Sequence, residues 1–437
     1  MPVRRRLNLT TVTIALLCMG LIYEAQASAP RSLAPGPSRN SLAQKQSDFA
    51  LKDRDRVVFY GDSITEQRLY TTYVEHYVLT HYPERRVTFI NTGWGGDKVT
   101  SNDCKPCAGV GGLARLKRDV IDHRPTVVTL LFGMNDGQYR DFDPAISKVY
   151  EDGLTAIIRE LKTKTGARMY VMTPTVYDGT RHTSWSHTDR YNDVLDRYTE
   201  AVKAIAHREG LSVIDLHTVT TEALLQAKKD DPAYTFAPDG VHPEEDGQLL
   251  MAAEILRAWG APPGGLELSK QVTPDQTGNA SLSVVAPLPW PEPLPSEKLR
   301  RVKPGMEIGR VLLHLTGLPS GEYKIEIDGK DAGKYTSDAL SGGIPVSRLS
   351  GKATDETRAL AVMVRKRADL FFWRWRQIEA PFATEYQSAN KAVSSLDILI
   401  AEIQERLRML GAFHKYQVVV SRINENRANV SGSGREL

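Results

Sequence analysis

From Arg56 to about Gly260 the chain alternates short apolar runs with amphipathic helical stretches, and that alternation leaves few folds open. The runs are VVFYG (57–61), VTFIN (87–91), TVVTLLFG (126–133), RMYVMTP (168–174) and LSVIDL (211–216). Each is apolar on both sides of an extended chain, so it needs cover on both faces, as in a parallel sheet between helices. Stretches such as YEDGLTAIIRELKTKTG and YNDVLDRYTEAVKAIAHREG lie between them and close on a Gly, where a helix C-cap belongs. The expectation is a three-layer α/β domain over 54–260.

The flanks read differently. Arg4, Arg5 and Arg6 precede an apolar run, roughly Val12 to Tyr23, and AQASA then offers small residues for cleavage after Ala27 or Ala29. This pattern predicts an export signal over 1–27; the alternative, a retained anchor, needs a longer apolar run. Residues 28–53, rich in Ser, Pro, Ala and Gln, predict a flexible leader. After the domain, APPGG opens a Pro/Gly-rich linker over 261–295. Short antiparallel strands with an Asp328-Gly329 hairpin turn are expected over 296–380. FFWRWRQ (371–377) alternates at strand period and reads as a half-buried strand, with an exposed binding platform as the alternative. Leu396, Leu399, Ile403, Leu407 and Leu410 form one stripe of a helix expected over 381–412, followed by a partly disordered tail over 413–437.

Composition excludes some classes. The 437 residues are 41% hydrophobic with a formal net charge of +3, and the N-terminal segment alone carries +2 of it. No concentrated basic stripe marks a nucleic-acid binder. No metal-ligand cluster or phosphate-cradling Gly loop is present, so no cofactor or metal is expected. Loss of Cys18 with the signal leaves Cys104 and Cys107, spaced CKPC. In an exported protein that pair reads as a local disulfide, the alternative being a redox pair without the usual surrounding pattern.

The end of the first apolar run carries the chemical question. VVFY runs straight into Gly-Asp-Ser, presenting Ser63 at a strand tip. A serine hydroxyl needs a base to take its proton, and the base needs a third group to orient it. Asp239 and His242, three residues apart in DGVH, are candidates for orienting group and base. Donors for a developing oxyanion are offered by NTGWGGD (91–97), whose glycines let backbone N–H groups approach closely, and by Asn135 in FGMND. Each motif alone reads as an ordinary turn. All of them fall at the carboxyl ends of strands or before the last helix, the edge where open parallel sheets bind ligands.

These blocks resemble the GDSL/SGNH hydrolases, with Ser63 in GDSIT, Gly96 in GWGGD, Asn135 in GMND, and Asp239 and His242 in DGVH. The resemblance covers about half the chain. It implies a flavodoxin-like α/β/α domain, Ser63 as nucleophile, His242 as base and then acid, and Asp239 as its orienting group. It also implies an oxyanion hole of the Ser63 and Gly96 N–H groups with the Asn135 amide. Ile64 stands where the family name has Leu. An α/β-hydrolase elbow is excluded, because Thr65 stands where that turn wants Gly and the Asp and His are neighbours.

Tyr70, Trp94, Trp185 and His187 are candidates for a substrate cleft, against core packing or loop anchoring. Asp62 and Asp136 read as helix caps or loop braces, and Asp215 with His217 as a structural pair. The function expected is an exported, periplasmic or extracellular serine esterase acting on small-molecule or polysaccharide esters, with short-chain O-acetyl groups first. A lysophospholipase or thioesterase, a carbohydrate O-acyltransferase and a non-catalytic binding protein are the alternatives.

Overall fold

The computed structural model describes residues 49–100, 111–181, 188–290, 307–382 and 384–423, all within one compact unit, Ser38–Leu437. The export signal, Cys104, Cys107, Trp185 and His187 lie outside the described residues.

The five expected runs are β1 (Arg56–Gly61), β2 (Thr88–Asn91), β3 (Val127–Leu131), β4 (Arg168–Met172) and β5 (Ser212–Ile214). They form one parallel sheet in the order β2-β1-β3-β4-β5. Central β3, VVTLL, is buried at every residue, which explains why its sequence has no polar face. The helices α1 (Ser63–Glu66), α2 (Leu69–His81), α3 (Gly112–Asp119), α4 (Pro144–Lys164), α5 (Tyr191–Glu209), α6 (Leu216–Asp230) and α7 (Glu245–Ala258) connect and cover the strands. Asp143 caps α4 through Ala145 N–H, with Pro144 in its first turn. Gly210 ends α5 in the left-handed conformation (φ 65°), as expected, whereas α4 ends on extended Thr165, before Gly166.

Helix α2 departs from the pattern of a surface helix. Every residue from Tyr70 to His81 is buried, so LYTTYVEHYVLTH has no solvent face. One side packs on the sheet and the other on the C-terminal region. Leu79 belongs to a second apolar core, whereas Trp290, Phe371 and Trp375 belong to the first. Trp290 Nε1 donates to Tyr73 O at 3.0 Å, and Arg367 pairs with Glu75 at 2.6 Å between buried side chains.

Several expectations for the flanks are corrected. Phe49 and Leu51 are core residues, Phe49 stacking on Tyr82 with ring centroids 4.2 Å apart, so the leader does not extend to 53. The expected linker holds β6 (Leu266–Gln271) and β7 (Ala280–Ala286). β6 joins β8 (Val311–Thr316) and the short β11 (Ile344–Pro345) in one sheet, and β7 joins β9 (Glu322–Ile327), β10 (Lys330–Thr336) and β12 (His414–Arg422) in another. The β9–β10 hairpin turns at Asp328 and Gly329, both with positive φ, as the sequence suggested. β12 lies in the expected tail and is an inner strand between β9 and β7. FFWRWRQ is helical: it ends α8 (Gly351–Phe372) and runs into a π-helical turn, Trp373–Glu379. Its buried residues, Phe371, Arg374 and Trp375, recur at helical spacing, which outweighs the apparent period of two. In α9 (Gln387–Leu410) Leu407 is buried, whereas Leu399 turns outward. Among the described residues no helix is long and apolar enough to cross a membrane.

Candidate active site

All strands of the first sheet run parallel, so β1, β2 and β3 deliver their following loops to one edge. Asp62 caps α1 by accepting from Ile64 N–H at 3.0 Å, so the helix begins at Ser63 as soon as β1 ends. Burial pushes the Asp62 carboxyl up to about 8 against that hydrogen bond.

His242 comes from the loop before α7. Its Nε2 lies 2.7 Å from Ser63 Oγ, and its Nδ1 lies 2.5 Å from Asp239 Oδ2. The other Asp239 oxygen accepts from the N–H groups of Val241 (2.9 Å) and His242 (2.8 Å). Burial opposes ionisation of Asp239, but the bonds from the His242 N–H and ring and from Val241 N–H prevail and hold it below the usual carboxylate range. The three-residue spacing therefore folds into a turn in which one carboxylate fixes both backbone and ring.

The second loop approaches α1 closely. A Cβ on Gly93 would lie 2.2 Å from Glu66 N, so only glycine fits there. Gly96 is left-handed, φ 73°. Asn91, unmarked in the sequence reading, donates to Thr65 O at 2.8 Å and accepts from Gly93 N–H at 3.0 Å, tying the loop to the serine helix. Asn135 donates one amide hydrogen to Asp97 O at 3.0 Å while its Oδ1 accepts from Tyr139. The second hydrogen of Nδ2 is left for a ligand oxygen. Asp136 braces the two loops, accepting from Val99 N–H (2.9 Å) and Gly133 N–H (3.0 Å), and burial raises its carboxyl to about 7.

Beneath these loops sits Arg115, fully buried. It donates to Gly61 O (2.8 Å), Thr92 O (2.6 Å), Asp97 (2.6 Å) and Asp119 (3.1 Å), joining β1, the second loop and α3. Asp119 in turn accepts from Trp375 Nε1 at 2.9 Å. Burial opposes the charge on Asp119, but Arg118, Arg115 and Trp375 override it and lower its pKa. A hydrogen-bonded path thus runs from the C-terminal π turn to Asn135.

Two cleft expectations are corrected. Tyr70 is fully buried, bonded to Thr65 Oγ1 at 3.0 Å and edge-on to Phe59, because α2 has no open face. Trp94 is covered by Arg376, 3.5 Å from its ring centre, and lies edge-on to Trp375. The cavity at the serine, about 450 Å³, is lined instead by Ser63, Glu66, Gln67, Arg68, His242 and Phe372. The sequence marks three of these only by their place just after Ser63, and Phe372 only as part of FFWRWRQ, read there first as a half-buried strand. Asp215 caps α6 through Thr218 N–H, and His217 bonds Asp196, so those two do not pair with each other. Among the described residues no group of three or more His, Cys, Asp or Glu is arranged to hold a metal.

The GDSL-like Lipase/Acylhydrolase family model matches residues 59–250, and the match spans all four blocks. The chain carries a GDSL-like lipase/acylhydrolase domain. It is an ester-bond hydrolase. An acetylxylan esterase of Geobacillus stearothermophilus is 29% identical over 227 residues, which cover 47% of this chain and 94% of that protein. A solved structure, a gut microbial diltiazem-metabolizing enzyme, superposes with a TM-score of 0.70 at 21% identity, covering 85% of this hydrolase and 98% of that chain. That likeness is one of fold. Its extent takes in more than the GDSL-like domain, so the arrangement with added C-terminal sheets is shared.

Proposed function

We propose that this hydrolase is an exported serine esterase that removes short acyl groups, acetyl first, from carbohydrate hydroxyls. The observation that carries the mechanism is the unbroken contact from Asp239 through His242 to Ser63 Oγ. His242 Nε2 takes the Oγ proton as Oγ bonds to the ester carbonyl carbon. The resulting oxyanion accepts from the N–H groups of Ser63 and Gly96 and from Asn135 Nδ2. Collapse breaks the ester C–O bond, and His242 returns the proton to the leaving alcohol. Water repeats the sequence on the acyl-enzyme, and Asp239 supports the imidazolium both times. The acetylxylan esterase relative, matched over nearly its whole length, supports an acetylated sugar as substrate. Export rests on the three arginines, the apolar run and AQASA, and is checked by an exported protein whose first residue follows Ala27 or Ala29.

The test compares acetylated xylan, an aryl acetate, an aryl octanoate and a lysophospholipid. Turnover of the two acetates above the others, lost by several orders of magnitude in Ser63→Ala with an unchanged thermal midpoint, is expected. Preference for the octanoate or the lysophospholipid would replace the acetyl assignment. Activity of Ser63→Ala within tenfold of the parent would remove the serine mechanism.

A further inference from the structure

We infer that α8 of the C-terminal region builds the subsite for the leaving alcohol, with Phe372 as the residue that sets alcohol specificity. This inference rests on the serine mechanism above. The cavity touches both Ser63 and His242, so a group filling it lies within reach of the nitrogen that must protonate the leaving oxygen. The oxyanion donors Gly96 and Asn135 are not on its wall. An ester with its carbonyl oxygen toward them therefore turns its alcohol toward Gln67, Arg68 and Phe372.

The wall is built and not incidental. Arg68 follows α1 in the left-handed conformation, φ 63°, which sends its side chain across to α8. There its Nε donates to Asp369 at 3.1 Å, its Nη1 returns to Glu66 O at 2.6 Å, and its guanidinium lies 4.2 Å from the Phe372 ring centre. Through Asp369 and the Phe372 ring, Arg68 thus ties the end of α8 to the serine helix. Helix α8 itself is anchored by the Arg367–Glu75 pair and by Arg367 Nη1 on Phe89 O. The cavity volume lies within the roughly 300–1,000 Å³ usual for small-ligand sites. An aromatic side chain lining the cavity with Gln67, Arg68 and Glu66 suits a ring with an apolar face and a polar edge, as in a pyranose.

The test measures two selectivity ratios in the full chain. One compares an acetylated methyl xyloside with methyl acetate, varying the alcohol. The other compares aryl acetate with aryl butyrate, varying the acyl group. Phe372→Ala is expected to shift the alcohol ratio of kcat/KM by tenfold or more and the acyl ratio by less than twofold. Phe372→Leu, which keeps apolar bulk at the helix end, is expected to shift the alcohol ratio in the same direction by a smaller factor. A shift confined to the acyl ratio, or no shift in either, would overturn the assignment while leaving the Ser63→Ala result intact. Activity retained in Ser63→Ala would instead defeat the mechanism itself.

Discussion

Two of the buried ionic centres in this hydrolase differ in the cation each employs. Beneath the catalytic edge, Arg115 joins Asp97, Asp119 and two strand-end carbonyls. In the C-terminal region, His414 at the start of β12 lies 3.0 Å from Asp328 in the β9–β10 turn and 2.8 Å from Glu356 on α8, and Ser350 also bonds Asp328. A guanidinium stays charged at any working pH and offers five donors in a fixed plane. An imidazole loses its charge near neutrality. The cation beneath the Gly96 loop thus keeps its charge across the working pH range, whereas the one that ties strands and a helix together does not.

The largest effect is expected at Arg115. Arg115→Met leaves the buried Asp97 and Asp119 without their shared cation, and losing one partner of a buried pair typically costs about 3–5 kcal/mol. A large fall in unfolding free energy, with kcat lowered in whatever remains folded, is expected from denaturant titration and aryl acetate kinetics. Trp375→Phe is the gentler probe, removing a single N–H from Asp119. If kcat falls while KM and the thermal midpoint stay near the parent values, the C-terminal turn positions the oxyanion loop; a loss of stability alone would reduce Trp375 to packing.

A smaller, pH-dependent effect is expected at His414. Burial disfavours its charged form, but bonds and charges from Glu356 and Asp328 prevail and raise its pKa. A raised folded pKa means the imidazolium contributes fully below the unfolded value of about 6.5 and loses its contribution as pH rises through the folded value. His414→Gln should therefore lower the thermal midpoint more at pH 6 than at pH 9, with aryl acetate kcat changed little. An equal loss at both pH values would show that His414 acts by packing and not by charge.

The two regions also differed in how much of them could be read from the chain. β1 to β5 announced themselves because strands covered on both faces need continuous apolar runs, with Ser63 and Asn135 just past the ends of β1 and β3 and Asp239 and His242 in the loop before the last helix. The C-terminal sheets did not, because β12 pairs with β7 and β9, about 90 to 140 residues away, and nothing local reports such pairings. HKYQVVVSR does alternate, with Tyr416, Val418 and Val420 buried, but a strand after a long helix at the chain end invites a tail reading. Helix α2 held the clue to the intimate packing: Tyr, Val and His recur on all its sides, which a helix with a solvent face would not show. Arg115 was silent for another reason. Its partners are carbonyls and carboxylates from three segments, and only the fold brings them together.

The serine mechanism requires a covalent acyl intermediate on Ser63. Rapid quenching of the full-length enzyme during aryl acetate turnover, followed by peptide mass mapping, should place one acetyl group on the peptide containing Ser63, at Ser63 itself. The label should be absent in Ser63→Ala. Full turnover with no acetylated peptide, or with the acetyl group on another residue, would contradict it.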